Sequence, residues 1–242
     1  MTVKPGQTVR KFLIFALLAA LASGLLAPPG PAQARDEQLL IDKAVTTLES
    51  MRGDPAFAPM HELLATARGV IVVPDMVKAG FFIGGAGGAG VMMAHDVGAN
   101  EWTDPAFINI GAASFGLQFG AEVSEIVLVI LSPQALNALL TNKVSLGAEA
   151  GLALGIYGGE REAATTSPAM EMDILSFSYS RGLFGGISVE GSLLLADEER
   201  NEAYYGQRAS SREIIVDRAL SHPGSTALRG LLSAISGGYD PL

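Results

Sequence analysis

Between Gly80 and Gly120 the chain reads GFFIGGAGGAGVMMAHDVGANEWTDPAFINIGAASFGLQFG, ten glycines set among small and apolar residues. So many glycines weaken a flat strand, because each removes a side chain that would pack, but they suit curved antiparallel strands whose backbones pass close to one another. The expected strands are Phe81 to Ile83, Ala89 to Ala94, Phe107 to Ala112 and Ser114 to Phe119, with the chain turning between Asp96 and Glu101. Working outward, Val70 to Val73 and Ile126 to Leu131 are short apolar strands. A further set is expected at Val144 to Ile156, Met170 to Ser180 and Gly185 to Leu195. In the last, Ile187, Val189, Gly191, Leu193 and Leu195 share a parity against Ser188, Glu190 and Ser192, which predicts that the first group is buried.

Helical periodicity frames this middle. Asp36 to Met51 carries Leu40, Ala44, Val45, Leu48 and Met51 near one face, an amphipathic helix. Asp54 and Pro55 open another helical segment, which continues from Met60 to Arg68 and ends at Gly69. Ser132 and Pro133 form an N-cap and N1 pair for a helix through Leu140. The chain closes with helices from Ser211 to Leu220 and from Thr226 to Ile235, the second capped by Ser225. The fold class is therefore α+β: a glycine-rich, curved, mainly antiparallel sheet or partly closed barrel, flanked by N- and C-terminal helices. No linker separates a second domain.

The first thirty-four residues have the three parts of an export signal: basic Lys4, Arg10 and Lys11, an apolar run from Phe12 to Leu26, and the small-residue end Ala32, Gln33, Ala34. The run is shorter than a membrane span requires, and Pro28, Pro29 and Pro31 break a helix where a peptidase needs extended backbone. Residues 1–34 are thus expected to be a signal peptide and residues 35–242 a single domain, periplasmic or secreted. No cysteine is present, so neither a lipid-modified cysteine nor a disulfide is available and packing alone must stabilise the domain. Sixteen basic against 25 acidic residues give a net charge of −9, and loss of the leader's three basic residues takes it to −12. That charge argues against nucleic acid as a partner and against broad adsorption on anionic lipid.

Chemical motifs are weak. Gly85, Gly87 and Gly90 match the spacing of a dinucleotide fingerprint, but no crossover helix can open before the turn at Asp96, and no lysine and hydroxyl follow as in a phosphate loop. His61, His95 and His222 are never at metal-ligand spacing and read as surface or satisfied core groups. Asp197, Glu198 and Glu199 read as a solvated turn. No G-x-S-x-G elbow places a nucleophile. The expectation is a domain with no catalytic residue, no metal and no cofactor. Trp102, between the Asn100 turn and Pro105, is expected to lock a strand crossing. At Arg181, Leu183 and Phe184, followed by Gly185 and Gly186, one cation precedes two large apolar residues. Either Leu183 and Phe184 insert among acyl chains while Arg181 meets a headgroup phosphate, or the two are hairpin-base core and Arg181 pairs with an acidic neighbour.

At these residues the chain resembles the SYLF domain family, lipid-binding domains also known from yeast actin-associated proteins. The resemblance runs from about Leu40 to Ile235. It rests on Lys78-Ala79-Gly80-Phe81 leading to Gly84-Gly85, Trp102 with Pro105-Ala106-Phe107, and Gly116-Leu117-Gln118-Phe119-Gly120. It continues through Leu146-Gly147-Ala148, Tyr179 to Gly186, Glu190-Gly191 and Asn201 with Tyr204-Tyr205-Gly206. The resemblance implies a non-enzymatic domain that binds phospholipid or another amphiphile at a membrane surface, with Lys78, Arg181, Leu183 and Phe184 as lipid-binding positions. It implies structural roles for Gly84, Gly85, Trp102, Pro105, Gly120, Gly186 and Tyr205, and membrane contact by the amphipathic segment at the domain's start. Eukaryotic members of the family look like phosphoinositide and membrane binders, several with actin-bundling activity, and export makes actin an unavailable partner here. Two departures, His95 in place of a basic residue and Ile156-Tyr157-Gly158-Gly159-Glu160 in place of a glycine-proline and arginine pattern, lower the basic character and argue against phosphoinositide specificity. The alternative function is a ligand-free interaction or scaffolding module of the cell envelope, its protein partner unknown.

Overall fold

The computed structural model describes residues 31–80, 83–115, 120–140, 143–146, 154–157, 172–181, 189 and 191–238. Most of the expected leader lies outside them. Helix α1 spans Pro31–Arg52, starting before the amphipathic stretch, so that Ala32 to Ala34 are helical where extended backbone was expected. Proline is compatible with a first turn, whose N–H groups have no intrahelical partner. On α1 the buried residues Leu40, Ile41, Ala44, Leu48 and Met51 form one stripe, while Asp42, Lys43 and Glu49 face solvent. A 3-10 turn at Pro55–Phe57, capped by the Asp54 carboxylate on the Ala56 N–H, leads into α2, Ala58–Leu64.

Strand β1 runs Gly69–Gly80, three times the apolar run seen in the sequence, because Pro74 does not end it. The register slips between Val73 and Met76 on one side and between Val72 and Val77 on the other. Proline has no N–H to give a ladder, and a bulge is where a strand tolerates it. The neighbouring β2, Ile83–Asp96, meets this bulge with glycines. A Cβ on Gly88 would lie 2.6 Å from the Asp75 carbonyl oxygen, and one on Gly90 would lie 2.5 Å from that of Val72. Part of the glycine-rich texture is therefore the space that bulged β1 occupies.

After the short β3, Glu101–Trp102, strand β4 is one continuous element, Ala106–Phe115, paired with β2 from Met92↔Ala106 to Ile83↔Phe115. The break expected at Ala113 is absent, and residues 116–119 of the second expected strand lie outside the described residues. Strand β5, Gly120–Ile130, ends at α3, Pro133–Leu139, whose Ser132 N-cap accepts the Ala135 N–H. Short β6, Lys143–Ser145, and β7, Leu154–Tyr157, precede β8, Ile174–Arg181, and β9, Leu193–Ala196. The sheet order is β6-β9-β4-β2-β1-β5-β8-β7, with β3 paired to β2, and every pairing is antiparallel except β7 with β8. The sheet curls into a half-barrel.

Three expectations are corrected here. Gly191 adopts φ +76 in a turn where the Ser192 N–H donates to the Val189 carbonyl, which resets the alternation; Leu194 is buried while Leu195 is exposed. The Asp197 to Glu199 cluster is not a turn, since Asp197 caps the Arg200 N–H and opens α4, Glu198–Tyr205. Helix α5 covers only Ser211–Ile215, and after a 3-10 turn at Pro223–Ser225 the final helix α6 spans Thr226–Ser236.

Both sheet faces are covered. On the helix-bearing face, Val70, Val72, Val91, Phe107, Val127 and Phe177 pack against α1, α2 and α6. On the other, Ile71, Val73, Met92, Ile108, Ile126 and Leu128 pack against α3 and α5. Central strands buried on both sides carry apolar residues continuously, as in Val70 to Val73 and Ile126 to Ile130.

Candidate functional site

Strand pairing gathers residues far apart in sequence at one end of the sheet. Gly80 pairs with both Gly84 and Gly120, Gly85 with Ala79, Lys78 with Ala86 and Glu122, and Val123 with Arg181. Lys78, Gly84, Gly85, Gly120 and Arg181 thus share this end. Leu183, Phe184 and Gly186 lie outside the described residues.

The apolar surface here comes from side chains that the sequence did not single out. Val77 and Val123 are direct cross-strand partners, 46% and 40% exposed, beyond the area that the helices cover. Tyr179, 43% exposed, belongs to the same face, because its partner Glu125 shares the parity of Val123, and its ring leans on Phe57 at 6.4 Å. Lys78 belongs to the opposite face, beside Glu122, which is only 3% exposed and accepts from the Ser124 hydroxyl at 3.3 Å. Among the described residues Lys78 makes no ion pair. The end therefore combines an exposed valine pair and tyrosine on one face with an ammonium group on the other.

The membrane role implied for the first helix meets a packing obstacle. The apolar stripe of α1 is already used inside the domain, so the folded helix offers outward chiefly its polar residues and Leu39. No helix among the described residues is long and apolar enough to cross a membrane.

Trp102, Pro105 and Tyr205 lie towards the opposite end. The Trp102 indole is 2% exposed, stacks on His95, and donates from Nε1 to the Ser236 hydroxyl at 3.1 Å. His95 is buried, with Nδ1 3.2 Å from the Ala67 carbonyl and Nε2 3.1 Å from Asn100 Oδ1. Each ring nitrogen has an oxygen within hydrogen-bond distance, and the imidazole is part of the core. Tyr205 donates to the Pro105 carbonyl at 2.6 Å. Asn201 is fully buried, its Oδ1 accepting the Phe107 N–H and its Nδ2 donating to the Ala209 carbonyl. Asp104, at 8% exposure, receives the His222 N–H, the Ser225 hydroxyl and the Arg229 guanidinium. No local pattern reveals the bond of Asn201 to Phe107 or those of Asp104 to His222, Ser225 and Arg229, because these partners are remote in sequence.

The electrostatics follow burial. Desolvation raises the Glu37 carboxyl above its ordinary range even though Arg200 lies 2.6 Å away and pulls it down. Burial, reinforced by Asp104, pushes the Tyr204 and Tyr205 hydroxyls above the usual phenol range. Desolvation, aided by Arg52, lowers His61.

One cluster holds serine, histidine and aspartate together, Ser225, His222 and Asp104, but its connections are structural. The Ser225 hydroxyl is buried 2.5 Å from the Asp104 carboxylate, and His222 Nδ1 accepts the Gly224 N–H. A base oriented to deprotonate the hydroxyl would have its ring nitrogen on Ser225. Gly85, Gly87 and Gly90 all lie within β2, with no helix opening at the third glycine. Among the described residues no three histidine, aspartate or glutamate side chains converge as a metal-binding group.

A family model described as Ysc84, "Las17-binding protein actin regulator", matches residues 111–236. The β1–β2 hairpin with Lys78, and Trp102 and Pro105, precede that match. The "SH3 domain-containing YSC84-like protein 1" of Xenopus laevis is 34% identical over 168 residues, covering 68% of this chain and 48% of its own length. Its Homo sapiens counterpart is 31% identical over 173 residues, 70% of this chain and 49% of that protein. "Protein YSC84" of Saccharomyces cerevisiae is 29% identical over 174 residues, 71% and 37% of the two lengths. The chain spans about half or less of the curated relatives it matches. No solved structure matches it.

Proposed function

The chain belongs to the Ysc84 family, whose shared unit is the SYLF domain, and from that membership we propose that it is a non-enzymatic binding module of the cell envelope. It contacts phospholipid or another amphiphile with the glycine-rich end of its sheet. The observation that carries this reading is the exposed Val77–Val123 pair with Tyr179, at the end where Lys78 and the strand position of Arg181 also lie.

Each apolar side chain withdrawn from water contributes roughly 1.5–3 kcal/mol, whereas one basic residue near an anionic leaflet contributes about 1 kcal/mol. In a mature domain of net charge −12, apolar contact dominates and binding is weak, with a shallow salt dependence. Leu183 and Phe184, which closely follow Arg181 in sequence, are the second apolar pair assigned to this contact. The leader, residues 1–34, delivers the domain to the periplasm or outside the cell, where actin is absent; an intact mass beginning at Arg35 is the expected result.

Vesicle co-sedimentation tests the reading with three proteins: wild type, Val77→Ser with Val123→Ser, and Leu183→Ser with Phe184→Ser. All are first checked for folding by circular dichroism. Both pairs are expected to weaken binding to phosphatidylethanolamine and phosphatidylglycerol vesicles at low and physiological salt. Binding unchanged in both folded variants removes this end as the site.

The relatives' descriptions favour a second reading. They name protein binding, in "Las17-binding protein actin regulator" and "LAS seventeen-binding protein 3". On that reading the domain is an envelope interaction or scaffolding module. Absence of wild-type binding to every envelope lipid selects it.

A further inference from the structure

At the end of β2 remote from Val77 and Val123, a cleft of about 360 Å³ opens between the β2–β3 turn and the C-terminus of α5. It is lined by the buried Thr103 and His95 and by Val97 and Val216, both exposed. Arg68 and Arg218 line it with Asp96, and Glu101 stands beside Arg218, so that among the described residues Arg68 is the cation of the cleft without an ion pair.

The two arginines differ from Lys43, Arg200, Arg208 and Arg229, whose ion pairs close to between 2.6 and 3.2 Å. Arg68 has a fixed backbone, its N–H donating to the Ile130 carbonyl at 2.7 Å and its carbonyl accepting the His95 N–H at 3.0 Å. Its side chain is exposed and makes no ion pair among the described residues. Arg218 has φ +48, a conformation that ordinarily selects glycine, where the Ala219 N–H closes α5 on the Glu213 carbonyl at 3.0 Å. This strained residue directs its guanidinium to the cleft, 3.8 Å from Asp96 and 3.7 Å from Glu101. Such long, exposed pairs are weak and exchange readily for a closer carboxylate.

We propose that this cleft docks a peptide segment in which carboxylates stand beside branched apolar residues. Arg68 and Arg218 receive the carboxylates, and Val97 and Val216 receive the apolar side chains. A small anion would use the guanidinium groups and leave both valines in water. A bilayer meeting the glycine-rich end would not reach the cleft, since β2 from Ile83 to Asp96 separates the two by roughly 40 Å of extended strand. The inference is independent of the lipid reading.

Calorimetric titration with acetyl-Glu-Val-Asp-Val-Glu-amide tests it, beside a control peptide carrying lysine at the acidic positions. Emission from Trp102 is followed in parallel, because its indole stacks on the imidazole that lines the cleft. The acidic peptide is expected to bind and perturb that emission, and the lysine peptide to do neither. Arg68→Ala and Arg218→Gly are each expected to weaken binding about tenfold, the loss of one charge-assisted hydrogen bond. Glycine relieves the positive φ, so Arg218→Gly should melt no lower than wild type, and Arg68→Ala changes only an exposed side chain. No wild-type binding, equal binding of the lysine peptide, or full affinity in both variants overturns the proposal. Loss of vesicle co-sedimentation by Arg218→Gly also overturns it, by assigning the cleft to the lipid surface.

Discussion

The Trp102 indole lies flat on the His95 imidazole, ring centroids 4.4 Å apart and planes 4° from parallel. Through Nε1 the same indole holds Ser236 at the end of α6, and Ser236 in turn donates to Asn100 Oδ1 at 2.7 Å. A hairpin, the loop before β1 and the last helix are thereby joined at one aromatic stack.

Trp102→Ala removes the buried ring, its hydrogen bond and the stack together. The expected cost is about 3–5 kcal/mol. Urea denaturation followed by circular dichroism measures it, and a midpoint equal to wild type would show that the stack contributes nothing to stability.

Glycines in β2 differ in what surrounds them, which predicts opposite outcomes for one substitution. At Gly90 a methyl group would meet the Val72 carbonyl oxygen at 2.5 Å and Val73 Cγ2 at 2.9 Å; at Gly85 the nearest contact is 3.7 Å. Gly90→Ala is expected to destabilise by about 1–3 kcal/mol, as overpacking does, and Gly85→Ala to stay within about 0.5 kcal/mol of wild type. Thermal melts of the two variants side by side provide the comparison. Equal melting temperatures would contradict the close approach of the β1 bulge.

His61 gives the domain an acid-sensitive component. Burial, with Arg52 adding repulsion, keeps its folded-state pKa below the ordinary 6.5. Above pH 6.5 both folded and unfolded chains hold the imidazole neutral, so the group adds no pH dependence. As pH falls below 6.5 the unfolded chain takes up a proton that the folded chain resists, and stability declines. His61→Leu should flatten the stability profile between pH 6.5 and the folded pKa, measured by urea unfolding at successive pH values. A slope identical to wild type would exclude His61 as its source.

The sequence by itself determined the class of the fold, the helices at both ends and several local caps, because these depend on signals within a few residues. Ser132 and Pro133 start a helix through one short hydrogen bond, and the stripe from Leu40 to Met51 follows helical periodicity. It also marked Trp102, a large ring whose burial a neighbouring turn and proline make plausible. Continuity and parity were harder to read: Pro74 concealed the length of β1, and the Gly191 turn reversed which leucine of β9 is buried.

Only the tertiary structure decided the composition of each surface. Val77 and Val123 are ordinary strand valines until antiparallel register sets them side by side beyond the helices. Lys78 and Arg181 come to one end for the same reason, through β5 between them. The apolar face of α1 looks suited to a membrane in isolation, yet the sheet beneath it is an equally apolar partner and takes that face into the core. Asn201 and Asp104 become ties because folding brings backbone groups about a hundred residues away within hydrogen-bond reach. Such contacts depend on the whole chain's path, whereas periodicity and capping depend only on near neighbours.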